Sequence, residues 1–80
     1  MHDWAGAKAD FERALQIDLD DTSAMYNLAC CYGLQGQADA AIEWLAQAIA
    51  GDEQFRARAC TDSDFDAIRS DPRFAALVGE

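Results

Sequence analysis

The sequence predicts an all-α fold, an antiparallel array of helical hairpins with short capping helices at its C-terminal end. Apolar residues recur at intervals of three and four, which is the period of one face of a helix. A set of them also recurs after 34 residues: Ala7, Phe11, Ala14 and Leu15 are followed by Ala41, Leu45, Ala48 and Ile49. Repetition at this period is typical of helical hairpins that bury their apolar faces against similar neighbours.

Capping residues and an acidic run set the limits of the first two helices. The first is predicted over residues 4–17, with Asp3 as its cap. It ends at a run of aspartates, because negative charge is unfavourable at the C-terminal end of a helix dipole. The second is predicted to begin at Thr22 or Ser23, either of which suits a cap, and to end before Gly36.

The remaining helices become shorter toward the end of the chain. A third helix is predicted over residues 38–50 and closed by Gly51, so that it forms a hairpin with the second. Residues 52–59 are expected to form a brief helix. Asp71 followed by Pro72 is a strong start for a last one, with the aspartate as cap and the proline at the first helical position. The end of the chain is therefore predicted to form a lid over an exposed hairpin face.

Length and charge exclude several functions. The 80 residues allow one small domain, and fifteen acidic against six basic residues give a net charge of −9. Such a chain repels phosphate backbones and anionic lipid, so we expect neither nucleic acid nor membrane partners, while basic peptides remain possible. The acidic residues are scattered, which favours a second interpretation, that they keep the protein soluble, as in the salt-rich cytoplasm of a halophile.

The cysteines favour a reducing compartment. Cys30, Cys31 and Cys60 form an odd set, two of them adjacent, without the spacing that holds zinc. Reduced thiols in a cytoplasmic protein fit best, and neither a signal peptide nor a membrane span is visible, although the chain could be a piece of a longer protein. The sequence predicts no metal and no cofactor.

The residues resemble the tetratricopeptide repeat. Between residues 22 and 55, the positions that carry the resemblance are Met25, Leu28, Ala29, Tyr32, Ala41, Leu45 and Ala48. The proline usual after the second helix is missing at Glu53. The resemblance implies one domain over residues 1–80: a second helix of a partial repeat (1–21), a complete repeat (22–55) and a capping tail (56–80). The tail resembles an ending common on bacterial members of this family.

The resemblance implies a non-catalytic module that binds a protein or peptide in a groove lined by first helices. The face of the second helix not needed for packing offers the candidate peptide-binding residues Ser23, Tyr26, Asn27, Cys30 and Leu34, together with Gly33. Asn27 could hold a peptide main chain through both its donor and its acceptor. The alternative is a moderately polar surface without a ligand.

A second hypothesis is assembly. The first helix of the partial repeat is missing, so the side of Trp4, Ala7 and Phe11 could pair two chains as a homodimer. An enzyme is disfavoured, because the single histidine, His2, has no orienting neighbour and no phosphate-binding loop is present. Asp62, Asp64 and Asp66 have the alternate spacing of a calcium loop but lack its glycine and glutamate. We therefore expect these aspartates to cap helices and to lie in contact with water.

Overall fold

A computed structural model describes residues 4–18 and 20–79. This part of the chain forms five α-helices and one 3-10 helix: α1 (Trp4–Ile17), α2 (Thr22–Leu34), α3 (Ala38–Gly51), α4 (Gln54–Thr61), the 3-10 helix (Ser63–Ile68) and α5 (Pro72–Val78). The predicted all-α hairpin array is confirmed. Asp3 and His2 lie outside the described residues, as does the side chain of Trp4.

Helices α1 and α3 are equivalent members of a repeat. Each has 14 residues, and both ends of α3 lie 34 residues after those of α1. Helix α2 packs against α3 through small residues: Ala29, Ala41 and Ala48 are completely buried, and Leu45 fills the space beside them. Small side chains at the contact let two helix axes approach closely, so the repeat pattern and the hairpin have the same origin.

Aspartates cap α2, the 3-10 helix and α5. Asp21, and not Thr22 or Ser23, caps α2, because its carboxylate accepts a hydrogen bond of 3.0 Å from the amide of Ala24. The predicted cap was thus one or two residues late. Asp71 caps α5 and Pro72 occupies its first turn, as predicted.

The tail, defined here as residues 54–78, folds back over the hairpin. Phe65 and Phe74 are completely buried in the main core, where their ring centroids lie 5.5 Å apart. The 3-10 helix lies directly on α2 at Gly33, where a Cβ atom would stand 2.9 Å from the carbonyl oxygen of Asp64. Arg69 fastens the tail internally by donating to the carbonyl oxygens of Cys60 and Asp62 at 2.7 and 2.9 Å.

The length and apolar character of the helices decide whether one of them could cross a membrane. Among the residues that the structure describes, no helix has both the length and the apolar character needed to cross a lipid bilayer.

Candidate functional site

Equivalent positions of α1 and α3 differ in burial. In α3 the three residues that face α2 are completely buried, namely Ala41, Leu45 and Ala48. Their equivalents in α1 are only half-buried, namely Ala7, Phe11 and Ala14. The reason is that this face of α3 packs fully against α2, whereas Phe11 and Ala14 of α1 pack only in part, against the cluster of Leu15, Ala24 and Leu28. The repeat therefore contains an incompletely covered apolar face.

Helix α2 packs against α1 beside this face and also contacts Phe11 and Ala14. Leu15 is buried in a small core cluster with Ala24 and Leu28. The ammonium group of Lys8 donates to the Oε1 atom of Gln35 at 3.0 Å and lies 4.5 Å from the ring centroid of Tyr32. Lys8 is thus engaged with the last turn of α2 and its C-cap residue.

Ile17 extends this face and was not recognised from the sequence. It is the last residue of α1, equivalent to Gly51 at the end of α3. A Cβ atom on Gly51 would collide with the side chain of Thr22, at the start of α2. The Cβ of Ile17 therefore points to the place where a first helix would begin over α1. That place is uncovered in the described structure, and Ile17 is 83% exposed.

We call Ala7, Phe11, Ala14 and Ile17 the open face. An exposed large apolar side chain that adjoins a continuous apolar strip indicates an interaction surface. The 34-residue register held the signal, because an isoleucine stands where the complete repeat has a glycine.

The second predicted site, on α2, is divided by the tail. Ser23, Asn27 and Leu34 are exposed, Leu34 to 42%. Tyr26 and Cys30 are buried, and so is Gly33. The premise that these three residues lie on a free face is therefore wrong: residues 54–78 occupy the face of α2 that would otherwise line a groove.

Tyr26 lies at the centre of this covered region. Its ring stacks on Phe55 at a centroid distance of 4.7 Å and meets the edge of Phe65 at 5.8 Å. Its hydroxyl donates a hydrogen bond of 2.6 Å to Asp62, and the guanidinium of Arg58 lies 5.1 Å from the ring centroid. Burial, followed by the hydrogen bond to Asp62, raises the pKa of the Tyr26 phenol well above its ordinary value.

A possible metal cluster lies beside Tyr26. The ligand-type atoms of Cys30, Asp62 and Asp64 are within 4.8 Å of one another. The Asp62 carboxylate, however, accepts hydrogen bonds from Tyr26 and from the amide of Asp64, the latter at 3.0 Å, and the Cys30 thiol is 4.0 Å from it. Burial, and then the charges of Asp62 and Asp64, raise the pKa of the Cys30 thiol. These contacts account for the cluster as a helix cap that joins the tail to α2.

One complete hairpin with a small-residue interface, preceded by an equivalent helix 34 residues earlier, defines a helical-hairpin repeat protein. The family model of the tetratricopeptide repeat matches residues 1–60. The chain belongs to the tetratricopeptide repeat family, and the resemblance found in the sequence is confirmed. No match was found among curated proteins or among solved structures. Members of this family are generally protein-interaction modules and typically non-catalytic scaffolds.

Proposed function

We propose that this chain is a non-catalytic interaction module and that the open face of α1 is the surface on which a protein partner docks. One observation carries the proposal: Ala7, Phe11 and Ala14 are half-buried, although their equivalents in α3 are completely buried. Covering such a strip removes apolar surface from water, which is the main driving force of protein association.

The partner segment is proposed to be a helix. The equivalent face of α3 is covered by α2, which presents Met25, Ala29 and Tyr32 to the main core. Because Ala7 and Ala14 flank Phe11 just as two alanines flank Leu45, a helix with a similar stripe has the complementary shape. Recognition of an amphipathic helix by an apolar groove is an established mode of peptide binding.

Binding of a peptide along α2 is the second candidate. It is supported by the exposed ridge of Ser23, Asn27 and Leu34, where the Asn27 amide can donate and accept. The ridge is narrower than the site predicted from the sequence. Contact with Tyr26 or Cys30 requires the tail to leave α2, with loss of the hydrogen bond to Asp62.

Other aspects of the sequence-based interpretation stay proposals. The division into a partial repeat, a complete repeat and a tail is one of them, and so is a cytoplasmic location, which the three free thiols favour. The charge of −9 supports a partner other than nucleic acid or an anionic membrane. Homodimerisation through the open face is the assembly form of the same proposal.

The test uses a synthetic peptide as a surrogate partner. The peptide is a helix of about 20 residues, long enough to be partly helical in water, that carries the stripe of Met25, Ala29 and Tyr32 with serines in place of cysteines. Binding to the labelled chain is measured by fluorescence anisotropy. Ala7→Glu should abolish binding, because it places a charge on the open face.

Ala9→Glu is the matched control. It makes the same change on the same helix at an exposed position, and it should leave binding intact. Equal loss in both variants, or no binding by the parent chain, would refute docking on the open face. Loss of binding in Leu34→Ser alone would instead favour the α2 ridge.

A further inference from the structure

We infer that the helix that docks on the open face is basic at its N-terminal end, where lysine or arginine side chains pair with the acidic rim around Ile17. This inference rests on the proposed function and deepens it, because it specifies the chemical class of the partner. We define the acidic rim as Asp18 and Asp20, which are both exposed and lie one and three residues after Ile17.

The acidic rim lies in a part of the chain without basic residues. No lysine or arginine occurs between residues 14 and 55, whereas seven acidic residues do. Of the two basic residues in α1, Lys8 is engaged with Gln35, and Arg13 is exposed and forms no ion pair with Asp18 or Asp20 in the described structure. An uncompensated acidic edge beside an exposed isoleucine favours a partner of opposite charge.

The arginines of the tail are held elsewhere. Arg56 pairs with Glu53 at 3.1 Å, and Arg73 pairs with Asp39 at 2.7 Å and with Asp71 at 2.8 Å. Arg69 pairs with its own neighbour in the tail and donates to two backbone carbonyls. These three arginines therefore contact acids and carbonyls of the tail, of Glu53 and of α3, and none of these contacts reaches the acidic rim.

The direction of the docked helix follows from the hairpin. Helices α2 and α3 are antiparallel, and the first residue of α2, Thr22, lies against the last residue of α3, Gly51. A helix that covers α1 in the same way begins over Ile17, within reach of Asp18 and Asp20. Its basic residues must then lie before or within its first turn.

This placement is a distinguishing signature. Basic residues are unfavourable at the N-terminus of an isolated helix, because they add to the positive end of its dipole. When a partner with basic residues at this end docks, the negative charge of the acidic rim offsets their unfavourable interaction with the helix dipole. The free helix has no such compensation. Specificity of this kind arises from charge, while the apolar strip supplies contact area.

A second copy of the chain fits the open face poorly. Each copy carries a net charge of −9, so a dimer would bring two strongly acidic chains together. Self-repulsion of this size opposes association of like chains and favours capture of a cationic one.

Three peptides separate charge from shape. All carry the stripe of Met25, Ala29 and Tyr32, and they differ only in the residues before it: lysines, glutamines or glutamates. We expect the lysine peptide to bind about three- to tenfold more tightly than the glutamine peptide at low salt, as two exposed ion pairs allow. The glutamate peptide should bind more weakly than both, and the preference should shrink at about 0.2 M salt.

Two pairs of variants test the residues. Asp18→Asn combined with Asp20→Asn should remove the preference for the lysine peptide and leave the glutamine peptide unchanged. The matched control, Glu43→Gln combined with Glu53→Gln, removes the same charge from two exposed positions, one in α3 and one at the N-cap of α4, and should keep the preference. Ile17→Ser should weaken all three peptides about tenfold. Since Ile17 is 83% exposed, the Ile17→Ser variant should fold as stably as the parent chain, and its melting temperature checks this.

The outcomes distinguish failure of the proposed docking surface from failure of the inference that the docked helix is basic. If all three peptides bind equally and Ile17→Ser weakens them all, the open face stands and the inference about charge is wrong. If none binds, or if Ile17→Ser changes nothing, the proposed docking surface itself is wrong. A dimer at micromolar concentration that Ile17→Ser dissociates would make a second copy the occupant and overturn the inference.

Discussion

The hydroxyl of Tyr26 in α2 donates a hydrogen bond of 2.6 Å to the carboxylate of Asp62, which lies 36 residues later and begins the tail's 3-10 helix. The other oxygen of the same carboxylate accepts from the amide of Asp64 at 3.0 Å. One side chain thus caps the 3-10 helix and fixes it to α2. Through this contact the tail covers part of the face on which a tetratricopeptide groove would be expected.

Tyr26→Phe should destabilise the fold by about 1.5–3 kcal/mol, the usual contribution of a hydrogen bond to a charged group. The ring can keep its stacking on Phe55, so the loss reports the hydroxyl. The midpoint of urea unfolding measures it. Tyr32→Phe is the control, because Tyr32 is half-buried and its ring contact with Lys8 does not need the hydroxyl. Similar losses in the two variants would contradict a special role of the bond to Asp62.

Equivalent repeat positions should differ in their sensitivity to truncation. Leu45→Ala leaves a cavity in the main core and should cost about 2–5 kcal/mol. Phe11→Ala removes a larger side chain at the equivalent position, yet should cost less, because Phe11 is only half-buried on the open face. Chemical denaturation of both variants tests this order. A greater loss for Phe11→Ala would mean that the face of α1 is covered in solution.

The sequence predicted the helices well where the signal was local. The bounds of α1 agree with the prediction, and α3 differs by one residue, because apolar spacing and caps act within a few turns. The start at Asp71 and Pro72 was equally local. Asp21 was missed as the cap of α2 because several residues in this acidic stretch can accept the same backbone hydrogen bond.

The candidate site was harder to predict, because it depends on contacts between distant segments. Helical spacing places Tyr26, Asn27 and Cys30 near one another, but it does not say what covers each of them. The lid itself was predicted, whereas the face it closes depends on the packing of Phe65 over Gly33. Ile17 was not recognised because a single exposed isoleucine is ordinary unless it is compared with its equivalent in α3, which is a glycine.

Gly33→Ala should destabilise the fold although alanine is the better helix former by about 1 kcal/mol. The new Cβ would lie 2.9 Å from the carbonyl oxygen of Asp64 and 3.0 Å from the ring of Phe65. Overpacking of this kind costs about 1–3 kcal/mol and would push the 3-10 helix away from α2. Thermal unfolding followed by circular dichroism measures the change. A raised melting temperature would show that the tail does not lie against Gly33.

Alkaline pH should weaken the fold through Cys30. Its thiol has an ordinary pKa of about 8.5 when unfolded, and burial together with Asp62 and Asp64 raises that pKa in the folded chain. The folded state therefore holds the proton more tightly. The stabilisation is complete below about pH 8.5 and declines as the pH rises further, by up to about 1.4 kcal/mol per pH unit for one group.

The raised pKa of Tyr26 acts in the same direction, but only above its ordinary value of about 10. Urea unfolding between about pH 7 and 9.5 therefore isolates the thiols. Cys30→Ala should make the free energy of unfolding fall less steeply with pH. Because the substitution also removes packing, each chain is referred to its own stability at neutral pH and only the slopes are compared. Because burial also raises the pKa of Cys31, some dependence should remain. Parallel slopes in the parent and variant chains would show that Cys30 is accessible to water in the folded state and that the tail does not seal this face of α2.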